Sequence, residues 1–323
     1  MPPTDASPTN SDISRRSGSS IMLFDSPSTL NDSIRMRKRA SGIVRWRGWM
    51  RWCALSVLSG ICLVCPAVAD EGITDDIARI EYRIVSKYPH DKRAFTQGLL
   101  FADGFVYEST GLRGGSTLRK IDPVKGRVVR QIRLSNRLFA EGLTLVDRSL
   151  YQLTWTSGRA FVRDIDNFSL IKEHRYEGEG WGLAWDGRHL VMSDGSATLK
   201  FRDPETFEIV RELPVRQGSQ PIERLNELEF FDGAIHANIW LSDRVVRIDP
   251  ADGKVKAWLD LAPLAERERD KAEMEGDREV NVANGLAWDP AMRRLHVTGK
   301  LWSAVYLLEL IDSQAIDRDP AGG

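Results

Sequence analysis

The chain has 323 residues, 45 Lys and Arg against 46 Asp and Glu, a formal net charge of −1 and 42% hydrophobic residues. That balance describes a globular chain able to bury a core, and the absence of a basic stripe argues against nucleic acid as a partner. With the first 69 residues set aside, 36 basic side chains face 42 acidic ones, so the remainder is mildly acidic.

Residues 1–34 are rich in Ser, Thr, Asn, Asp and Pro without periodicity, and they read as a disordered leader or as the product of an upstream start codon wrongly chosen. Residues 35–69 read as a signal peptide. Arg35, Arg37, Lys38, Arg39, Arg45, Arg47 and Arg51 make a positive segment, an apolar run covers 53–64, and Ala67-Val68-Ala69 forms an A-x-A site before Asp70. The apolar run is too short to span a bilayer comfortably, and Ile61 and Val64 are too large to precede a lipid-modified Cys. The expectation is an exported protein, periplasmic or secreted, with no membrane attachment after cleavage and with residues 70–323 as its folded domain. Cys53, Cys62 and Cys65 all lie in the removed segment, so the mature chain would hold neither thiol nor disulfide.

From residue 80 the chain alternates apolar and polar residues up to Pro89, the pattern of a strand with one buried face. A motif then recurs: Thr96-Gln97-Gly98-Leu99, Ala140-Glu141-Gly142-Leu143, Gly180-Trp181-Gly182-Leu183, Leu225-Asn226-Glu227-Leu228 and Ala283-Asn284-Gly285-Leu286, with steps of 44, 40, 45 and 58 residues. A period of this size, carrying four short strands per repeat, points to a β-propeller. The expected fold is all-β, a five-bladed β-propeller closed by an N-terminal strand from residues 80–88, which supplies the outer strand missing from the last repeat. Turn signals support the repeat: Asp122-Pro123, Asp164 to Asn167, Asp203-Pro204 and Asp249-Pro250 between third and fourth strands, and Asp103-Gly104, Asp147-Arg148, Asp186-Gly187, Asp232-Gly233 and Asp289-Pro290 between first and second. Residues 261–279, of helix-forming composition, account for the longest step. They are a short helical insertion before the last blade, either covering one end of the channel or simply solvated.

Equivalent inner-strand positions surround the axis of such a fold, so Gln97, Glu141, Trp181, Asn226 and Asn284 should form a ring. A second set falls at the ends of the second strands: Glu108, Trp155, Ser193-Asp194, Trp240 and Lys300-Leu301-Trp302. Polar groups on inner strands can simply satisfy one another. Amides, a carboxylate, a lysine and several tryptophans together look more like a pocket with a few convergent polar groups.

The motifs Pro89-His90-Asp91, Ala94-Phe95-Thr96-Gln97-Gly98-Leu99, Tyr107-Glu108-Ser109-Thr110-Gly111-Leu112, Glu141-Gly142-Leu143-Thr144, Trp181-Gly182-Leu183, Leu225-Asn226-Glu227-Leu228-Glu229, Ala237-Asn238-Ile239-Trp240 and Val297-Thr298-Gly299-Lys300-Leu301-Trp302 occur in order. Through them residues 85–310 resemble the plant and bacterial type of glutaminyl-peptide cyclotransferase, a five-bladed propeller family. The resemblance implies an acyltransferase, needing no metal or cofactor, that turns the N-terminal glutamine of peptides and proteins into pyroglutamate with loss of ammonia. It also implies Glu141 as the catalytic acid and base.

The chemistry suits the residues. The substrate's α-amine attacks its own γ-carboxamide, and one carboxyl group can take the amine proton and pass it to the departing nitrogen. Phe95, Trp155, Trp181 and Trp240 can wall in the side chain, while Gln97, Asn226 and Lys300 can donate hydrogen bonds to the developing oxyanion or the peptide carbonyl. Other roles stay open: inter-blade packing for the tryptophans, a structural pair between Lys300 and Glu141, and Glu108 or Glu227 as the base. His90, His174, His189, His236 and His296 have no metal-binding spacing. The expected protein is a monomer with peptide substrates. The competing reading is a non-catalytic exported propeller that binds a peptide or sugar through its Trp-lined mouth; a calcium-dependent lactonase-type propeller would need more acids on the axis.

Overall fold

The structure, a computed structural model, describes residues 77–277 and 281–311; the leader and signal-peptide expectations lie outside them. The described chain is all-β with one helix, Ala262–Glu275. Apart from the short hairpin Arg216–Gln217 with Gln220–Pro221, its strands form antiparallel groups of four in chain order. The first is Thr96–Ala102, Phe105–Thr110, Thr117–Asp122 and Arg127–Arg133; the second is Ala140–Val146, Ser149–Thr154, Arg159–Asp164 and Leu170–Arg175. The third is Leu183–Trp185, Leu190–Met192, Thr198–Arg202 and Ile209–Pro214. The fourth, Leu225–Phe231, Ala234–Ile239, Arg244–Ile248 and Val255–Asp260, continues into the last through the strand Ala78–Pro89. That N-terminal strand runs antiparallel to Ala304–Ile311, completing the group formed with Ala283–Asp289 and Arg294–Gly299, and its first residues also pair in parallel with Val255–Asp260. It therefore takes the place expected for it and covers two sheet edges at once.

The first strands of the groups touch in a closed cycle, with Ala283–Asp289 packed back against Thr96–Ala102. The glycine of the recurring motif follows from this crowding. A Cβ added at Gly98 would come within 2.6 Å of the Leu143 backbone, at Gly142 within 2.6 Å of Gly182, and at Gly182 within 2.0 Å of the Asn226 carbonyl oxygen. Only a residue without a side chain lets neighbouring inner strands approach so closely. The fourth repeat has Glu227 at that position, and its buried carboxylate accepts the backbone N–H groups of Leu99 at 3.3 Å and Leu286 at 3.0 Å, tying the first and last inner strands together. The pairing register also shifts at the motif, between 96 and 98, 140 and 143, 225 and 228, and 283 and 286. Such a bulge re-aims a side chain, and Gln97, Glu141, Asn226 and Asn284 accordingly drop out of the pairing.

Apolar side chains collect between consecutive groups: Leu100, Tyr107 and Leu118 with Leu143 and Leu150, then Tyr151 and Val162 with Leu190 and Met192, and at the closing junction Leu99 and Val106 with Ala287 and Val305. The Asp turns hold as expected from the sequence. Asp122 accepts the N–H groups of Val124 and Lys125, and Asp164, Asp203 and Asp289 make the same local pair of bonds. The helix ends at Gly276 in the left-handed region (φ 64°) and is packed rather than solvated. Leu264 and Ala265 enter the core, and the buried Glu268 accepts from Ser303 N at 2.6 Å, Ser303 Oγ at 2.7 Å and the Tyr306 hydroxyl at 2.7 Å.

Candidate active site

Glu141 and Lys300 are each 1% exposed, and Gln97 joins them. Its Nε2 donates to Glu141 Oε1 at 2.8 Å and its Oε1 accepts from Lys300 Nζ. Both ends of the Gln97 amide are thus committed, which makes it a bridge between two charges rather than the free donor that the sequence suggested. Burial raises the Glu141 carboxyl well above the usual carboxylate range; Lys300 opposes this, Glu179 adds to it and the Gln97 bond opposes it. Burial also pulls the Lys300 ammonium down to about 8, against the pull of Glu141 and Glu227. Burial thus brings this acid and this base, linked through one amide, closer in proton affinity than they are in water, the kind of perturbation found at functional sites.

Aromatic side chains extend from this pair in an unbroken series. Lys300 Nζ lies 4.8 Å from the Phe95 ring centroid; Phe95 meets Phe139 edge-on at 6.2 Å, and Phe139 meets Trp155 at 5.5 Å. The Trp155 and Trp181 indole N–H groups both donate to Glu179 Oε2, at 2.7 and 3.1 Å. Trp181 then meets the Trp240 ring edge-on at 5.3 Å. Asn226 is buried on the neighbouring inner strand, where its backbone carbonyl accepts from Ser193 Oγ at 2.7 Å. So Phe95, Gln97, Glu141, Lys300, Trp155, Trp181 and Trp240 come together as one connected set.

Phe139 and Glu179 belong to this set and were not singled out from the sequence. The signal was available in the repeat: each stands two residues before its ring position, as Phe95 does before Gln97, so the three occupy equivalent places on the approach to successive inner strands. Other expected members go elsewhere. Trp302 is fully buried with its Nε1 on Asn281 O at 3.0 Å, and Asp194 pairs with Lys200 at 2.7 Å. Asn284 Nδ2 donates to Thr96 O at 3.0 Å. Glu108 sits in a separate buried cluster, 2.9 Å from His90 Nε2, 2.8 Å from Thr96 Oγ1 and 3.5 Å from Arg119. The carboxylate of Glu227 is spent on two backbone N–H groups.

Among the described residues, no three His, Cys, Asp or Glu side chains are grouped to hold a metal ion. Four of the histidines are engaged otherwise: His90 with Glu108, His296 with Tyr88 and Phe101, His174 stacked between Tyr151 and Phe207, and His236 on Phe231.

Residues 56–310 match the family model described as glutamine cyclotransferase. The chain is 40% identical over 237 residues to the glutaminyl-peptide cyclotransferase of Arabidopsis thaliana, an alignment covering 73% of each chain. Among solved structures it is similar to the glutaminyl cyclase of Myxococcus xanthus, at 40% identity and a TM-score of 0.67, over 73% of this chain and 98% of that one.

Proposed function

Because this chain belongs to the glutamine cyclotransferase family, and cyclises N-terminal glutamine of peptides and proteins, we propose that Glu141 is the group that moves the proton in that reaction. The observation carrying the reading is the buried chain Glu141, Gln97, Lys300, with its carboxyl raised and its ammonium lowered. The substrate's neutral α-amine attacks the carbon of its own γ-carboxamide, forming the ring C–N bond. Glu141 takes a proton from the attacking nitrogen and delivers it to the carboxamide nitrogen, and the old C–N bond breaks as ammonia leaves. An amide nitrogen cannot depart as an anion, so the delivery step is indispensable. Lys300 steadies the oxyanion, Gln97 sets the spacing between the two charges, and Asn226 serves the peptide carbonyl. Phe95, Trp155, Trp181 and Trp240 hold the flexible side chain coiled, an orientation effect that supplies several kcal/mol, roughly.

Glu179 fits this reading as the clasp of two aromatic walls and as a negative neighbour of Glu141. Replacing it with Gln removes the charge, so the Glu141 pKa should fall. The acid limb of the kcat–pH profile, where free substrate amine does not appear, should then move to lower pH than in the wild type. A limb that stays in place in Glu179→Gln would mean that a group other than Glu141 titrates.

We read the four-strand groups as the blades of a five-bladed propeller, with the contact cycle of the first strands as its axis and Ala78–Pro89 as the closing strand. The protein acts as an exported monomer released at Ala69, and its N-terminal mass after export should begin at Asp70. It works without a metal, a reading supported by the engaged histidines and the placement of every cysteine in the expected signal peptide. Turnover should survive exhaustive chelation; loss restored by zinc would reject this.

A further inference from the structure

A cavity of about 360 Å³ lies between the helix Ala262–Glu275 and the segments around 92, 112 and 302, and no step above uses it. Its floor is apolar, made by Leu112, Ala272 and Leu301, and at its rim Lys92 is held by Glu275 and Asp277. Two walls are one residue away from the site. Leu301 follows Lys300 and donates its N–H to Ala94 O at 2.8 Å; Leu112 follows Gly111, whose N–H is bonded to Phe95 O at 2.8 Å and whose Cα faces Phe139 and Gln97. Both leucines are partly exposed and hold left-handed backbone, φ 80° at Leu112 and 67° at Leu301, a conformation kept in non-glycine residues where the surroundings require it.

Cyclisation consumes only the first residue of the substrate. The rest of the chain has to leave the site along a surface, and two of this cavity's lining residues, Leu301 and Leu112, directly follow Lys300 and the Gly111 that packs on Phe139 and Gln97. We propose that the cavity is a subsite for the second and third residues of the substrate, taking an apolar side chain onto Leu112, Ala272 and Leu301. The inference rests on the site assigned above. It makes the helical insertion a specificity element: the insertion supplies one wall, and Glu268 fastens it to Ser303 and Tyr306, so the wall is stiff.

The test compares kcat/KM for Gln-Leu-Leu and Gln-Gly-Gly, with glutamine amide as a substrate too small to reach the cavity. The leucine peptide should be favoured by about 10-fold, the scale of a partly enclosed apolar pocket. Ala272→Phe, which fills the floor, should abolish most of that preference while glutamine amide turnover stays within about twofold. A wild-type preference under about twofold, or a preference left intact by Ala272→Phe, overturns the subsite. Should Ala272→Phe lose turnover of all three substrates through misfolding, Glu275→Trp at the exposed rim is read by the same two outcomes. Glutamine amide turnover retained in Glu141→Gln overturns the site reading instead, whatever the peptide preference.

Discussion

Glu141→Gln is expected to lower kcat by about 10² to 10⁴ with KM changed little. The substitution keeps the shape of the side chain, and its carbonyl oxygen can still accept the Gln97 Nε2 bond that Glu141 Oε1 accepts at 2.8 Å. The one property lost is the ability to exchange a proton. The side chain is 1% exposed, so bulk solvent has little access through which to substitute as a base. The measurement is ammonia release from a Gln-initiated peptide, with melting followed in parallel to establish that the fold persists. Lys300→Met, which removes the charge proposed to support the oxyanion and leaves the proposed proton carrier in place, should cost less. If Glu141→Gln keeps most of its kcat while a folded Glu227→Gln loses it, the proton travels through the neighbouring carboxylate and the assignment fails.

Glu108→Gln should instead unfold the protein more easily, by about 3–5 kcal/mol, because it removes one partner of a buried ion pair and leaves the other stranded. Glu108 is fully buried and His90 is 2% exposed at the side chain, with Nε2 2.9 Å from the carboxylate and Nδ1 2.9 Å from Trp302 O. His90 directly follows the closing strand, so the pair helps to hold the N-terminal strand against the last group. In a domain of this size a loss of that order lowers Tm by roughly 10 °C.

The pH dependence has a sign. Burial opposes the Glu108 charge, but His90 and Arg119 prevail and hold its pKa below the ordinary value, so its contribution is full above about 4.3 and lost as pH falls through the folded pKa. Burial likewise opposes the His90 charge, yet Glu108 prevails and raises it, so its contribution is full below about 6.5 and lost as pH rises through the folded pKa. The difference in Tm between wild type and Glu108→Gln should therefore be larger at pH 5.5 than at a pH above the folded pKa of His90, with kcat of the folded variant close to wild type. A variant with unchanged Tm and a collapsed kcat would make Glu108 the base.

The amino-acid sequence alone determined what is local or repeated. The Asp turns, the alternating strand before Pro89 and the recurring X-Gly-Leu unit are set by backbone preference and by the two-residue period of a strand, and both can be read along one dimension. The period also placed Gln97 and Glu141 at equivalent positions on neighbouring inner strands. What it could not supply was the direction in which each polar group spends its bonds. Glu108 and Glu227 looked like rivals to Glu141, and only packing across the fold separated them: one faces His90 and Arg119, the other the N–H groups of Leu99 and Leu286. Trp302 resembled Trp240 in its repeat yet turns into the core, toward Asn281. Gln97 was legible as a site residue but not as the bridge from Glu141 to Lys300, 203 residues further on. Contacts over such separations are decided by tertiary packing, because hydrogen bonds and burial depend on which atoms meet, and spacing along the chain carries that information only where a repeat enforces it.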